Sequence, residues 1–184
     1  MASTINATTS SGIVATADNT GQLALQAAGT TIMTITSTGV TTQVGAPAFS
    51  AYMSASTQSG SSGVWTKIQF NTEVFDTNSN YDTSTYRFTP TIAGYYQVNV
   101  NGYFNASTSL ASYVGLSFYK NGSIYAGNGL SNNGVAQLQL SQVIYCNGST
   151  DYIEAYFQTQ GGSGAFIGGG ATVSMFSAAM IRSA

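Results

Sequence analysis

The side chains able to do chemistry are few. They are the carboxylates Asp18, Glu73, Asp76, Asp82, Asp151 and Glu154, the thiol of Cys146, four cations, and no histidine at all. Without histidine the commonest general base and transition-metal ligand is missing. Cys146 has no base near it in sequence, so a buried, small apolar role fits it better than a nucleophilic one. Asp76 and Asp82 share the loop "FDTNSNYDTSTY" with Asn78 and Asn80. Such an oxygen-rich set could hold Ca²⁺, but it lacks EF-hand spacing, and a hydrogen-bonded turn uses the same residues. Ca²⁺ in the 76–82 loop is therefore the one cofactor considered, and the expectation is none. Asp151 and Glu154 would fall on opposite faces of a strand running from 151, which makes them a poor glycosidase pair. "GGSGAFIGGG" (161–170) has no phosphate-loop lysine and reads as a flexible turn, with Phe166 and Ile167 at its tip or packed beneath it. The expectation is that this chain is not an enzyme.

The elements that must carry these residues are strands. The 184 residues are 43% hydrophobic, but only 5% are charged, with a net charge of −2; about a quarter would be ordinary. Gly, Ser, Thr and Asn fill the space that Lys and Glu usually occupy. This composition suits short strands and tight turns. Lys67, Arg87, Lys120 and Arg182 are scattered, so no basic cluster exists to neutralise phosphates; neither nucleic acid nor an anionic membrane is an expected partner. A single cysteine cannot form an intrachain disulfide. "MASTINATTSSG" shows neither the basic nor the apolar segment of a secretory signal, and no stretch is long and apolar enough to span a bilayer as a helix.

A change of character near residue 45 divides the chain into an arm, 1–45, and a domain, 46–184. The arm reads as very short strands, marked by Ile13-Val14, Leu23-Leu25 and Ile32, with too little apolar surface to fold alone. It must pair either with its own domain or with another chain. In the domain, Phe49, Ala51 and Met53 alternate with polar residues, Trp65, Ile68 and Phe70 follow, and Asn121-Gly122 between alternating runs signals a hairpin. "VAQLQLSQVIY" changes phase between Leu140 and Val143, as a bulge would cause. Ile153, Ala155 and Phe157 share a face. In "AGYYQVNVNGYF" (93–104) one face is apolar, while the other carries Tyr95, Gln97, Asn99, Asn101 and Tyr103 without a charge. At least eight strands without a helix indicate an all-β sandwich or jelly roll.

Several of these runs resemble a known family in their order. "PAFSAYMS" (47–54), "IQFNTEVFDTNSNYDTSTYRFTPTIAGYY" (68–96), "LSFYKNGS" (116–123), "LQLSQVIYCNGSTDYIEAYF" (138–157) and "MFSAAMI" (175–181) resemble the globular head of the complement q subunit, a member of the tumour-necrosis-factor-like jelly-roll superfamily. There are departures: Ala178 stands where that family usually has Gly, Tyr86 where Gly is common, and the polar turn at 147–151 is longer. "SGIVATADNTGQLALQAAGTTIMTIT" (11–36) is similar to runs that precede globular domains in structural proteins of tailed bacteriophages.

The resemblance implies a two-sheet jelly roll that packs as a homotrimer. On that basis Tyr95, Gln97, Tyr103 and Phe176 of the terminal strand are expected to line the threefold contact; a solvated sheet of uncharged polar residues is the alternative. The arm, through Ile13, Val14, Leu23, Leu25 and Ile32, would anchor the knob to a major capsid protein or another virion protein. The expected role is a bacteriophage capsid decoration (cement) protein, assembled in the host bacterial cytoplasm and exposed on the virion. The alternative is a tail-fibre or head-fibre tip that binds a host-surface receptor or glycan.

Overall fold

A computed structural model of the chain describes residues 21–43, 45–106, 112–131, 136–161 and 165–184. It divides into two compact units, Met1–Gly45 and Ala46–Ala184.

In the first unit, β1 (Leu23–Ala27), β2 (Thr30–Ile35) and β3 (Thr41–Gln43) form a three-stranded antiparallel sheet in that order. Leu23 pairs with Ile35 and Leu25 with Met33, which places these apolar residues on one face. Leu23, Leu25 and Ile32 are all exposed. Ile13 and Val14 lie outside the described residues.

The second unit contains β4 (Ala48–Tyr52), β5 (Thr57–Ser59), β6 (Thr66–Lys67), β7 (Thr72–Asp76), β8 (Tyr81–Asp82), β9 (Arg87–Phe88) and β10 (Ala93–Ala106). After these come β11 (Tyr113–Lys120), β12 (Ser123–Leu130), β13 (Ala136–Asn147), β14 (Ile153–Gln160), β15 (Ala165–Gly168) and β16 (Met175–Ser183). No helix occurs among the described residues. The larger sheet runs β5-β15-β10-β16-β4-β7, with β13 on the other edge of β10; the smaller runs β12-β11-β14-β9-β8, with β6 also on β14. Every pairing is antiparallel.

The core lies between the two sheets because each strand turns its apolar alternate inward. Tyr96, Val98, Val100 and Phe104 of β10 are buried, as are Val114, Leu116 and Phe118 of β11 and Ile153, Ala155 and Phe157 of β14. Gly102 interrupts the β10 series for lack of room: a Cβ there would stand 2.9 Å from Ile167 Cδ1. The Asn121-Gly122 turn has φ values of 54° and 79°, the left-handed pair that a two-residue hairpin requires, and it joins β11 to β12 through the Lys120–Ser123 pair.

Three expectations need correcting. Phe176 is completely buried, with ring centroids 5.0 Å from Phe49, 5.7 Å from Phe70, 6.0 Å from Tyr81 and 6.2 Å from Phe118. The alternation of β16 turns Phe176 and Ala178 inward and leaves Ser177 and Ala179 on the outer side, so Phe176 cannot line a surface contact. The phase change in β13 is no bulge, because β10 and β13 pair in unbroken register from Ala93–Asn147 to Phe104–Ala136. Instead, Val143 is an apolar residue at an outward position. Finally, the Gly-rich run is not a turn throughout: Ala165–Gly168 pairs with β10 and β5, and Ile167 is buried.

Candidate assembly interface

The outer face of the larger sheet is built from the residues that alternate with the core. Along β10 these are Tyr95, Gln97, Asn99, Asn101 and Tyr103; register sets them against Tyr145, Val143, Ser141, Gln139 and Gln137 of β13. On the other side they meet Arg182, Ala179, Ser177 and Met175 of β16. Ser177 in turn pairs with Ser50 of β4, and Ser50 with Phe75 of β7. Across the whole width of β4, β10, β13 and β16 the only charge is Arg182, which makes no ion pair among the described residues.

The face has two parts. Its middle is a closed amide–hydroxyl network: Gln97 Nε2 donates to Ser141 Oγ at 2.7 Å, and Ser141 Oγ donates to Asn99 Oδ1 at 2.8 Å. Asn101 Nδ2 donates to the Val173 carbonyl at 2.8 Å. Tyr103 is half-buried beside this network, and its backbone N–H donates to Ser174 Oγ at 3.1 Å. At the other end is an open groove of about 530 Å³ lined by Tyr95, Val143, Ile181, Arg182, Ser183 and Ala184. The Tyr95 and Tyr145 rings lie 5.5 Å apart beside it. Tyr95 is 43% exposed, Val143 46% and Ile181 58%, so the groove presents contiguous apolar surface of the kind that marks interaction sites.

The structure therefore brings Tyr95, Gln97 and Tyr103 onto one outer face and removes Phe176 from it. Sequence reading missed Val143, Tyr145 and Ile181. The signal for Val143 was available: an apolar residue out of phase in a strand marks a covered outer surface as readily as a bulge.

Elsewhere the carboxylates serve the turns. Asp76 accepts the backbone N–H groups of Asn78 and Tyr81, at 3.2 and 2.7 Å. Asp82 accepts from Ser84 and Thr85 through both backbone and hydroxyl groups, which hold its pKa down at about 2. Asp151 ties two hairpins together by accepting from Asn121 Nδ2 at 2.7 Å and the Asn147 N–H at 3.0 Å, with Lys120 Nζ at 2.9 Å. Cys146 is buried, and desolvation pushes its thiol up to about 11.

No family model matches the sequence, and no curated protein matches it. Solved structures do. The globular domain of zebrafish complement 1qA protein is 15% identical, with a TM-score of 0.53 over 75% of this chain and 99% of that one. Murine APRIL at pH 8.0 is 9% identical, with a TM-score of 0.58 over 74% and 100%. The PRD1 vertex protein P5 is 19% identical, with a TM-score of 0.54 over 74% and 97%. At such identities the likeness concerns the fold. Residues 46–184 form a two-sheet, tumour-necrosis-factor-like jelly roll.

Proposed function

We propose that this chain is a bacteriophage virion structural protein. It forms homotrimeric knobs that decorate and stabilise a capsid shell, held there through residues 1–45. The observation that carries this reading is the outer face of the larger sheet, where β10 and β13 carry no charge and a groove opens at Tyr95, Val143 and Ile181. Charges buried between subunits would each lose several kcal/mol of hydration without guaranteed partners, whereas Tyr, Asn and Gln pack and hydrogen-bond at much lower risk. Low charge also suits a protein present in many copies, since neighbouring knobs repel one another little. The fold shared with the PRD1 vertex protein P5 supports a place in a virion. In this reading the chain acts as a structural protein, with no catalytic role.

Two measurements test it. The native mass of the full chain in dilute solution should be three times that of one polypeptide; a stable monomer refutes the trimer. Purified particles should carry the protein in hundreds of copies and should burst more readily under heat or osmotic shock when it is missing. A copy number in the tens, with isolated protein blocking adsorption, would refute decoration and identify a receptor-binding tip.

A further inference from the structure

Three charged groups on the outside of the smaller sheet have no part in the assembly reading. Lys67 Nζ and Arg87 Nε both meet Oε1 of Glu154, at 2.6 and 2.7 Å, while Tyr156 Oη donates to Oε2 at 3.2 Å. The Glu154 side chain is only 1% exposed although its strand position faces outward. It serves as a fixed post, and Arg87 uses only one of its nitrogens to reach it. The guanidinium carbon also lies 4.2 Å from the centroid of the Tyr152 ring, so the planar group is held from a second side. Among the described residues neither Nη of Arg87 has a hydrogen-bond partner.

Arg87 opens onto a pocket of about 300 Å³ that it lines with Lys67, Gln69, Ser84, Thr85 and Tyr86. The Ser84 and Thr85 hydroxyls are committed to Asp82. The Gln69 side-chain amide and the Tyr86 hydroxyl are uncommitted among the described residues. Tyr86 sits at φ +59°, a left-handed conformation that costs a non-glycine residue about 1 kcal/mol or more and that collects at ligand sites. Each feature favours a part of one ligand class. A pre-oriented guanidinium whose Nη1/Nη2 edge is free takes a carboxylate through paired hydrogen bonds. An amide and a phenol bond to hydroxyls, and an aromatic ring packs against the C–H face of a sugar. Lys67 and Arg87 are balanced by Glu154 and by Asp82, which holds Ser84 and Thr85. Attraction for an anion therefore comes from the directed N–H groups of Arg87 rather than from a net positive wall.

The geometry points to a binding site for an acidic saccharide at Lys67, Gln69, Tyr86 and Arg87, with both Nη groups of Arg87 on the carboxylate of a uronate residue. The site is complete within one polypeptide, so it stands or falls independently of trimer formation and capsid decoration.

Methyl β-glucuronide titrated into the isotopically labelled full-length protein should produce saturable amide shifts centred on Gln69, Tyr86 and Arg87. Neutral methyl β-glucoside should bind at least about tenfold more weakly, because it leaves the guanidinium edge unpaired. Arg87→Lys keeps the charge and the Glu154 contact but loses the fork, and should weaken glucuronide binding about tenfold or more. Gln69→Leu, outside the ion triad, should also weaken it with the fold intact. The proposal is overturned if glucoside or inorganic phosphate alone gives the same shifts at the same concentrations. It is equally overturned if Gln69→Leu and a folded Arg87→Lys both bind glucuronide as tightly as the parent.

Discussion

The two sheets of the jelly roll treat their outer faces in opposite ways. On the larger sheet, β10 and β13 carry no charged residue, and the polar groups bond to one another around Ser141. On the smaller sheet Lys67 and Arg87 meet the buried Glu154 carboxylate in an ion triad, and Lys120 and Asp151 pair at the sheet's end. The core requires neither arrangement, since both sheets bury their inner faces in the same way. The difference shows that charge was not simply depleted throughout. The ion pairs among the described residues are gathered on the smaller sheet. On the larger one β4, β10, β13 and β16 carry Arg182 alone, and the carboxylates Glu73 and Asp76 sit on the edge strand β7. In the proposed reading the outer face of the larger sheet meets sister copies, and that of the smaller sheet meets solvent and small ligands.

The strongest challenge to this contrast is a charge on the uncharged side. Val143→Asp should abolish assembly and leave a folded monomer, as judged by native mass and circular dichroism, because a carboxylate there would be desolvated at a cost of several kcal/mol. Phe176→Ala separates core from surface: it should lower unfolding stability by about 3–5 kcal/mol in chemical denaturation, as loss of a fully buried ring does. On the charged side, Glu154→Gln should reduce stability by about 2 kcal/mol and leave the native mass unchanged. This lies below the range for a fully buried pair because Lys67 and Arg87 can turn towards water.

Acid should act on the same side. Burial raises the Glu154 pKa, but hydrogen bonds from Lys67 and Arg87 outweigh it and hold the carboxyl below its ordinary value of 4.5. A depressed folded pKa gives stability that is present above the unfolded value and lost as pH falls through the folded one. Asp82, held at about 2, extends the loss further into acid. With no histidine to titrate between about pH 5 and 8, the melting temperature should be flat across that window and fall below about pH 4; Glu154→Gln should blunt the upper part of the fall. The smallest effect is expected at Tyr86→Gly, which relieves the left-handed strain but adds freedom to the unfolded chain, for a net change within about 1 kcal/mol.

Local features of the fold were legible because they depend on neighbours in sequence. The Asn121-Gly122 hairpin and the inward series Phe49, Ala51, Met53 need only turn chemistry and a period of two. At Tyr86 the sequence showed a residue standing where Gly is common but not its conformation, which the structure gives as left-handed. Features that depend on pairing register were not legible. Lys67 and Arg87 looked scattered, and they meet at Glu154 only because β6 and β9 both lie along β14, where Tyr156 pairs with Lys67 and Ile153 with Phe88. At the candidate interface, Tyr95, Gln97 and Tyr103 could be read from one strand's alternation. Ile181 and Val143 join them through strands distant in the chain. Phe176 was misplaced because an aromatic near the terminus fits either face until the register of β16 is fixed.

The buried thiol has a practical consequence. Cys146 is the chain's single cysteine, closed off from water and with its ionisation suppressed, so at neutral pH it presents almost no thiolate to an electrophile. A cysteine introduced at an exposed site away from the groove at Tyr95 and Ile181, such as Ser123, would therefore be the one that maleimides find, and the protein can be tagged at a chosen point without first removing its own thiol.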